Sequence, residues 1–297
     1  LSKPTVDIGI ACSSNQLPAW WNGVFGSLMR EAQRGIEIRQ LLAIGSALPD
    51  FNKNNTIGVS ILDQQAEGKK RMNRTDANRN EMSNRFISGG SLGPSEWIFM
   101  IDDDTIPEDG ALTKLLALEK DFVAGLYFNT NPPYNPIAYA RNKTGIGYYA
   151  LYDYPYGMLM PVDSVGMGCT LIHRSVFERI QAEHEVWVRP NGSLFPVHKS
   201  QVYANAPAGL EGEAKQEYVA GGWAITKVAK PAEDDNRAWP FYSMEYGRTE
   251  DHHFCELAAN VGIQPWVDTR ILCKHMKPQA MEYPRYRKEV NERNGLE

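Results

Sequence analysis

Trp97-Ile98-Phe99-Met100-Ile101 runs directly into Asp102-Asp103-Asp104. A short continuous apolar run ending in charge predicts a strand buried on both faces, as in the interior of a parallel sheet. The acids then fall at the carboxyl end of that strand, which is where open α/β sheets bind ligands. Three adjacent carboxylates repel one another unless a cation neutralises them. Hard oxygen donors of this kind suit Mg²⁺ or Mn²⁺, and Mg²⁺ commonly bridges carboxylates to substrate phosphates. Capping the following helix needs one acid, not three.

The flanks agree with a sheet of this kind. Val6 to Ala11 reads as a strand. Pro18 to Arg34 carries Trp20, Trp21, Val24, Leu28 and Met29 at helical spacing and is closed by Gly35. Ile36 to Ile44 and Ile57 to Leu62 read as two more strands, and Lys69 to Ile87 as a polar, basic helix. Strands alternating with helices imply βαβ units, so the expected class is α/β with a mostly parallel sheet. Beyond Asp104 a helix is expected with Thr105 as cap, Pro107 near its first position, Glu108 and Asp109 in its first turn, and apolar positions through Leu118. Phe122 to Phe128 reads as a strand, Asn129 to Pro161 as loop with short strands, and Cys169 to Ile172 as a strand entering a helix at Ser175. Glu183 to Pro240 shows little periodicity and reads as a long functional loop or lid. A helix is expected from Glu250 to about Asn260, stopped by Gly262, and a last strand from Trp266 to Cys273.

Composition narrows the class. A chain of 297 residues with 42% hydrophobic and 23% charged side chains is neither disordered nor a disulfide scaffold. A net charge of −5 argues against a non-specific nucleic-acid binder, which needs a basic footprint. Lys69, Lys70, Arg71, Arg74 and Arg79 read as a solvated helix face, with contact to a polyanion as the alternative. Cys12, Cys169, Cys255 and Cys273 show no C-x-x-C spacing and read as buried free thiols of a reducing compartment. No apolar run reaches the length of a membrane span, and no secretory signal pattern opens the sequence. The expectation is a soluble, intracellular (cytoplasmic) protein.

Three metal or phosphate motifs fail on spacing. A calcium-binding EF-hand loop needs Gly at its sixth position, where Pro107 stands. A haloacid-dehalogenase pattern needs Thr one residue later than Thr105. Asp251-His252-His253 resembles the start of a DHH phosphoesterase motif, but no apolar strand precedes it. Two weak signals remain: Thr249-Glu250-Asp251, preceded by Met244-Glu245-Tyr246-Gly247, and His275 just after the last expected strand.

Taken in order, these segments resemble the GT-A glycosyltransferases, nearest in pattern to glycosyltransferase family 2. Arg79-Asn80 lies in the helical segment before Asp102. Val165-Gly166-Met167-Gly168-Cys169-Thr170-Leu171-Ile172 matches the family's Gly-rich strand segment, Glu250-Asp251 its Glu-Asp helix, and Val267 to His275 its final strand. The resemblance covers residues 5 to 276. Its usual Pro-x-x-Asn-like turn after the first strand is here Ala11-Cys12-Ser13-Ser14-Asn15, and Glu183 to Pro240 has no counterpart.

The resemblance implies a metal-dependent transfer of sugar from a UDP- or GDP-linked donor to an acceptor hydroxyl, with inversion; a retaining transfer is the alternative within the fold. Residues 1–125 are then the nucleotide-sugar-binding half and residues 126–297 the acceptor-binding and catalytic half of one domain. Asp102, Asp104 and His275 hold Mn²⁺ or Mg²⁺. Asp63 contacts base or ribose, and Asp103 and Gly168 line the donor. Arg79 meets the diphosphate or forms a buried salt bridge. Asp251 is the catalytic base, with Glu250 as its substitute or as a ligand of an acceptor hydroxyl. The acceptor is a saccharide, with a protein side chain or a modified nucleobase as alternatives. Two other functions compete. A sugar-nucleotide nucleotidylyltransferase would carry a Gly-rich loop after its first strand, which is absent here. An inactive carbohydrate-binding homologue would not need Asp102, Asp104, Asp251 and His275 together.

Overall fold

The computed structural model describes residues 3–11, 18–44, 58–62, 75–89, 93–130, 132–143, 147–188, 193–200, 214–219, 222–227, 238–244 and 248–276. Cys12, Asp63, the basic residues Lys69, Lys70, Arg71 and Arg74, Glu245 to Gly247, and the tail from Lys277 lie outside the described residues.

The first half alternates strands and helices as expected: β1 (Thr5–Ala11), α1 (Pro18–Gln33), β2 (Glu37–Ile44), β3 (Gly58–Leu62), α2 (Thr75–Ser88) and β4 (Trp97–Asp102). A stub, β5 (Thr105–Ile106), precedes α3 (Ala111–Leu116) and β6 (Phe122–Leu126). Then come β7 (Ala138–Arg141), β8 (Tyr148–Ala150), β9 (Leu159–Pro161), β10 (Ser164–Val165), β11 (Cys169–His173) and α4 (Arg174–Glu183). Two hairpins follow, β12 (His184–Val188) with β13 (Leu194–His198), and β14 (Ala214–Val219) with β15 (Gly222–Lys227). The described chain closes with α5 (Glu250–Asn260), β16 (Trp266–Leu272) and β17 (Lys274–His275).

Eight strands form the main sheet in the order β3-β2-β1-β4-β11-β6-β16-β9. The pairs β3–β2, β2–β1, β1–β4 and β6–β16 are parallel; β4–β11, β11–β6 and β16–β9 are antiparallel. The class is α/β with a mostly parallel sheet, as expected.

Alternation along β4 builds two cores. Ile98 and Met100 face one side, packed with Met82 and Phe86 of α2, Phe177 of α4 and Phe254 of α5. Phe99 and Ile101 face the other, packed with Val24 and Leu28 of α1 and Leu112 and Leu115 of α3. The result is three layers, helix, sheet, helix. Edge-on ring contacts Phe86–Phe177 and Phe122–Phe254 tie α2, α4 and α5 to the same face.

This order also decides where the chemistry goes. The carboxyl ends of β1 and β4 coincide, with Ala11 opposite Asp102. Because β11 is antiparallel to β4, its beginning lies at that same edge, with Cys169 opposite Ile101. Strands β6 and β16 run with β4, so Tyr127 and the residues after Leu272 emerge there too. A helix that feeds such a strand runs back against it, which sets the first turns of α2 and α5 at the same edge.

Two expectations are corrected. The helix beyond Asp104 starts at Ala111, not near Thr105: Gly110, at φ 79°, is its N-cap residue. Thr105 and Ile106 instead pair with His275 and Lys274, and Asp109 accepts from Arg30 at 2.7 Å and Arg34 at 2.9 Å. Within Glu183 to Pro240, His184 to His198 is a hairpin and not loop, because Trp187, Phe195 and Val197 bury one another in a small cluster of their own.

Candidate active site

Arg79 projects from the first half of α2, a helix whose buried stripe includes Asn78, Arg79, Met82, Ser83 and Phe86. Its side chain is 3% exposed and is spent entirely on carboxylates. The Nη2 group donates to Asp102 Oδ1 at 2.7 Å; Nη1 donates to Glu250 Oε1 at 2.7 Å and to Asp251 Oδ1. One guanidinium therefore joins the end of β4 to the first turn of α5. Burial favours the neutral form of Arg79, but Asp102, Asp251 and Glu250 outweigh it and hold the cation firmly.

On α5, Thr249 is the N-cap residue and makes no side-chain cap, so Glu250 and Asp251 supply the first-turn acids. Asp251 accepts a backbone N–H from Met167 in the Gly-rich segment. Burial pushes its carboxyl above the ordinary range; Arg79 opposes this, and Glu250 and Asp102 add to it. A carboxylate so placed holds a proton more readily than a solvated one, which suits it to proton transfer.

His275 stands on the opposite flank of Asp102. The β5–β17 pairing sets it beside Asp104, with Nε2 at 3.1 Å from Oδ2. Its Nδ1 donates to the Phe128 carbonyl at 2.7 Å, which fixes the ring and leaves Nε2 for Asp104 or a cation. Burial lowers the basicity of this imidazole, but the hydrogen bonds to Asp104 and Phe128 outweigh it and the net shift is upward.

A divalent ion fits the chemistry of this couple. Adjacent ligands of an octahedral ion at about 2.1 Å stand about 3 Å apart, close to the Asp104–His275 separation. Carboxylate oxygen with imidazole suits Mn²⁺ better than Mg²⁺. Asp102 turns to Arg79, and among the described residues no three His, Cys, Asp or Glu side chains converge as a ready-made cage.

Glycine spacing in the Val165 to Gly168 segment has a packing cause. The Gly168 N–H donates to Tyr127 Oη at 3.0 Å, and its carbonyl accepts from Asp102 N at 3.3 Å. A Cβ at Gly168 would lie 2.8 Å from both Tyr127 Oη and Thr105 Oγ1; one at Gly166 would lie 2.3 Å from Ile137. Both positions require glycine for close approach. Tyr127 is buried, meets His275 edge-on at 5.4 Å, and stays protonated because burial and the charges of Asp102 and Asp251 push its phenol far up.

The expected residues thus fall into two groups on one sheet edge. Arg79, Asp102, Glu250 and Asp251 come together, as do Asp104 and His275. The backbone N–H of Asp103 donates to the Ala11 carbonyl at 3.2 Å. Gly168 sits beneath Asp102, and Asp63 is outside the described residues. Sequence reasoning missed Tyr127, hidden in an apolar run, and the pair Asn80 and Asn84. Those two asparagines, one turn apart on α2, clamp the backbone of Tyr242 at 2.7 Å and of Trp239 at 2.9–3.0 Å. Their i,i+4 spacing was the available signal. His252 was also missed as a support: it stacks on Tyr148 at 4.3 Å, meets Tyr139 edge-on at 4.8 Å and shares a 2.7 Å hydrogen bond with Ser164.

No protein-family model matches the chain, and no curated protein matches it. Among solved structures it is similar to A197 from STIV, at 18% identity and a TM-score of 0.32, covering 59% of this chain and 67% of that one. It is also similar to GalNAc-T7, solved with UDP, GalNAc and Mn²⁺, at 8% identity and a TM-score of 0.48. That likeness covers 93% of this chain and 44% of the other. Among the described residues no helix is long and apolar enough to cross a membrane.

Proposed function

We propose that this chain is a glycosyltransferase that moves a sugar from a UDP- or GDP-linked donor to an acceptor hydroxyl, with inversion, and that it requires Mn²⁺ or Mg²⁺. The observation that carries the reading is the division of acids at one sheet edge. Asp104 with His275 stands apart from Asp251 with Glu250, and Asp102 and Arg79 lie between them.

In this reading Asp104, His275 and Asp102 hold the ion, which when bound supplies positive charge to the leaving diphosphate. Residues 1–125 take the nucleotide, with Asp63 at base or ribose and Asp103 and Gly168 along the donor. Residues 126–297 complete the sheet and take the acceptor. Asp251 removes the acceptor proton as its oxygen bonds to the anomeric carbon; the bond from that carbon to the diphosphate oxygen breaks and the electron pair leaves with the diphosphate. Glu250 binds an acceptor hydroxyl. Arg79 keeps Asp251 and Asp102 in place and is engaged by carboxylates, not set out as a diphosphate ligand.

Calorimetric titration of the whole chain with UDP and with GDP, each with Mn²⁺ and with excess chelator, tests the reading. Binding of one nucleotide that needs the ion and disappears in Asp104→Ala is expected. Failure of both to bind with the ion present would end it.

A further inference from the structure

The hairpin β12–β13 stands apart from the main sheet and brings two histidines together. His184, the C-cap residue of α4 and the first of β12, is directly opposite His198, the last of β13. Their rings meet edge-on with centroids 5.0 Å apart. His184 is 4% exposed, and its Nδ1 donates to the Ile180 carbonyl at 2.8 Å. A carbonyl only accepts, so the proton of this imidazole sits on Nδ1 and Nε2 carries a lone pair. Among the described residues that buried Nε2 has no hydrogen-bond partner, which for a buried polar atom calls for a cause. Burial, with the neighbouring His198 and Lys199, outweighs the Ile180 hydrogen bond and Glu183 and lowers the basicity of the ring, which keeps it neutral.

We propose that His184 and His198 form a second cation site, for a divalent ion of the Zn²⁺ kind, separate from the Asp104–His275 couple. An Nδ1–H held by a backbone carbonyl is the arrangement that orients a histidine for metal through Nε2. The spacing agrees. With Zn–N bonds of about 2.0–2.1 Å, an imidazole centroid lies about 3.2 Å from the ion, and two such rings at a tetrahedral angle have centroids about 5.2 Å apart. The observed 5.0 Å needs little adjustment. Ser200 Oγ, 2.6 Å from His198 Nδ1, can accept its proton, the tautomer that frees Nε2, in exchange for a 3.3 Å contact from the Ser200 N–H. Imidazole nitrogen suits Zn²⁺, Ni²⁺ and Cu²⁺, whereas Mg²⁺ and Ca²⁺ take oxygen ligands. Glu183 adds negative charge beside the pair, and Lys199 is engaged by the Ala182 carbonyl. Two protein ligands leave the remaining positions to water. The ion therefore clips the end of α4 to the end of β13 without forming a closed cage.

The test is calorimetric titration of the whole chain with Zn²⁺ and with Mg²⁺, carried out in His275→Ala so that the other histidine-bearing couple is removed. One Zn²⁺ per chain is expected to bind, with no comparable Mg²⁺ binding. Outer-shell partners of a metal-bound histidine are worth about 10- to 100-fold in affinity, so removing a ligand should cost at least about 100-fold. His184→Gln and His198→Gln, each added to His275→Ala, should therefore both abolish the Zn²⁺ isotherm. His184 is buried and its variant can lose the hairpin; His198 is half-buried, and its variant reads the ligand itself. Zn²⁺ should also raise the thermal midpoint of His275→Ala and leave that of His275→Ala with His198→Gln unmoved. Absence of Zn²⁺ binding in His275→Ala, affinity unchanged by His198→Gln on that background, or equally tight Mg²⁺ binding overturns the site. None of these readouts depends on nucleotide binding or on turnover, so the site stands or falls apart from the transferase reading.

Discussion

The two ends of the main sheet each set an arginine near a carboxylate, half-buried at one end and buried at the other, and they use it in opposite ways. At the amino end Arg174 donates to the carbonyls of Ser95 at 2.7 Å, Ile87 at 2.9 Å and Phe86 at 2.6 Å, and its guanidinium lies over the Phe86 ring at 4.5 Å. Asp7, at that end, is fully buried and is satisfied by Ser95 Oγ at 2.5 Å and Gln40 Nε2 at 3.3 Å. At the carboxyl end Arg79 donates to three carboxylates and to no carbonyl that would anchor a chain turn. The amino-end arginine closes the termini of α2 and its neighbours. The carboxyl-end arginine holds a surplus of negative charge in place, which costs stability unless something binds it. An excess of like charge at the ligand-binding edge is thus the mark that separates site from scaffold.

The largest effect should come from the acid that Arg79 restrains. Asp251→Asn keeps size and hydrogen-bonding while removing the proton acceptor. Under the transferase reading, turnover measured as nucleotide release should fall roughly 10²- to 10⁴-fold, with UDP affinity within a factor of a few. Turnover that persists, or a product that keeps the donor's anomeric configuration by NMR, would remove Asp251 from the role of base.

Arg79→Met comes next. It leaves Asp102, Glu250 and Asp251 buried without their cation, and breaking a buried pair costs about 3–5 kcal/mol. Urea unfolding should report a loss of that order, larger at neutral than at acid pH, because protonation relieves the stranded carboxylates. A loss below 1 kcal/mol would mean that the site relaxes into solvent and that Arg79 is no keystone. Arg174→Met, at the other end, should cost about 2 kcal/mol through its carbonyls, and more above pH 6 than below pH 4, because its charge helps Asp7 to ionise.

The sheet was legible because its signals are local. Trp97 to Ile101 is an unbroken apolar run, Val6 to Ala11 is one interrupted by Asp7, and Glu250 to Asn260 carries its own acidic start and glycine stop. The amphipathic patterns around them placed α1 and α2 to within a few residues wherever the chain is described. What stayed hidden depends on partners far along the chain. Arg79 lies 171 and 172 positions from Glu250 and Asp251, so no spacing rule reveals that all its donors are taken. Thr105 and Ile106 read as the start of a helix because Pro107, Glu108 and Asp109 make a good first turn. Their pairing with Lys274 and His275 wins, and it brings His275 to Asp104. Tyr127 is indistinguishable from a core aromatic until Gly166 and Gly168 are seen to close on its hydroxyl.

The last contrast is drawn by pH. Burial pushes the Asp7 carboxyl up to about 6 from 3.8, against the favourable Ser95 hydrogen bond and the charges of Arg174 and Arg39. A folded-state value above the unfolded one means that the native chain holds this proton more tightly than the unfolded chain does. Below pH 4 both states are protonated and Asp7 imposes no penalty. As pH rises through 6 the folded state must ionise a buried acid, so stability falls by about 2–3 kcal/mol across that window. Asp7→Asn keeps a hydrogen-bonding side chain that never ionises. Its unfolding free energy, measured by urea at pH 4, 5, 6 and 7, should therefore lack this component, and the difference between variant and wild type should grow with pH. If the difference is flat, Arg174 and Arg39 keep Asp7 ionised throughout, and the amino end is a buried ion network after all, closer in kind to the cluster around Arg79. If it shrinks as pH rises, the ionised carboxylate is itself stabilising, and the contrast drawn between the two ends of the sheet is wrong.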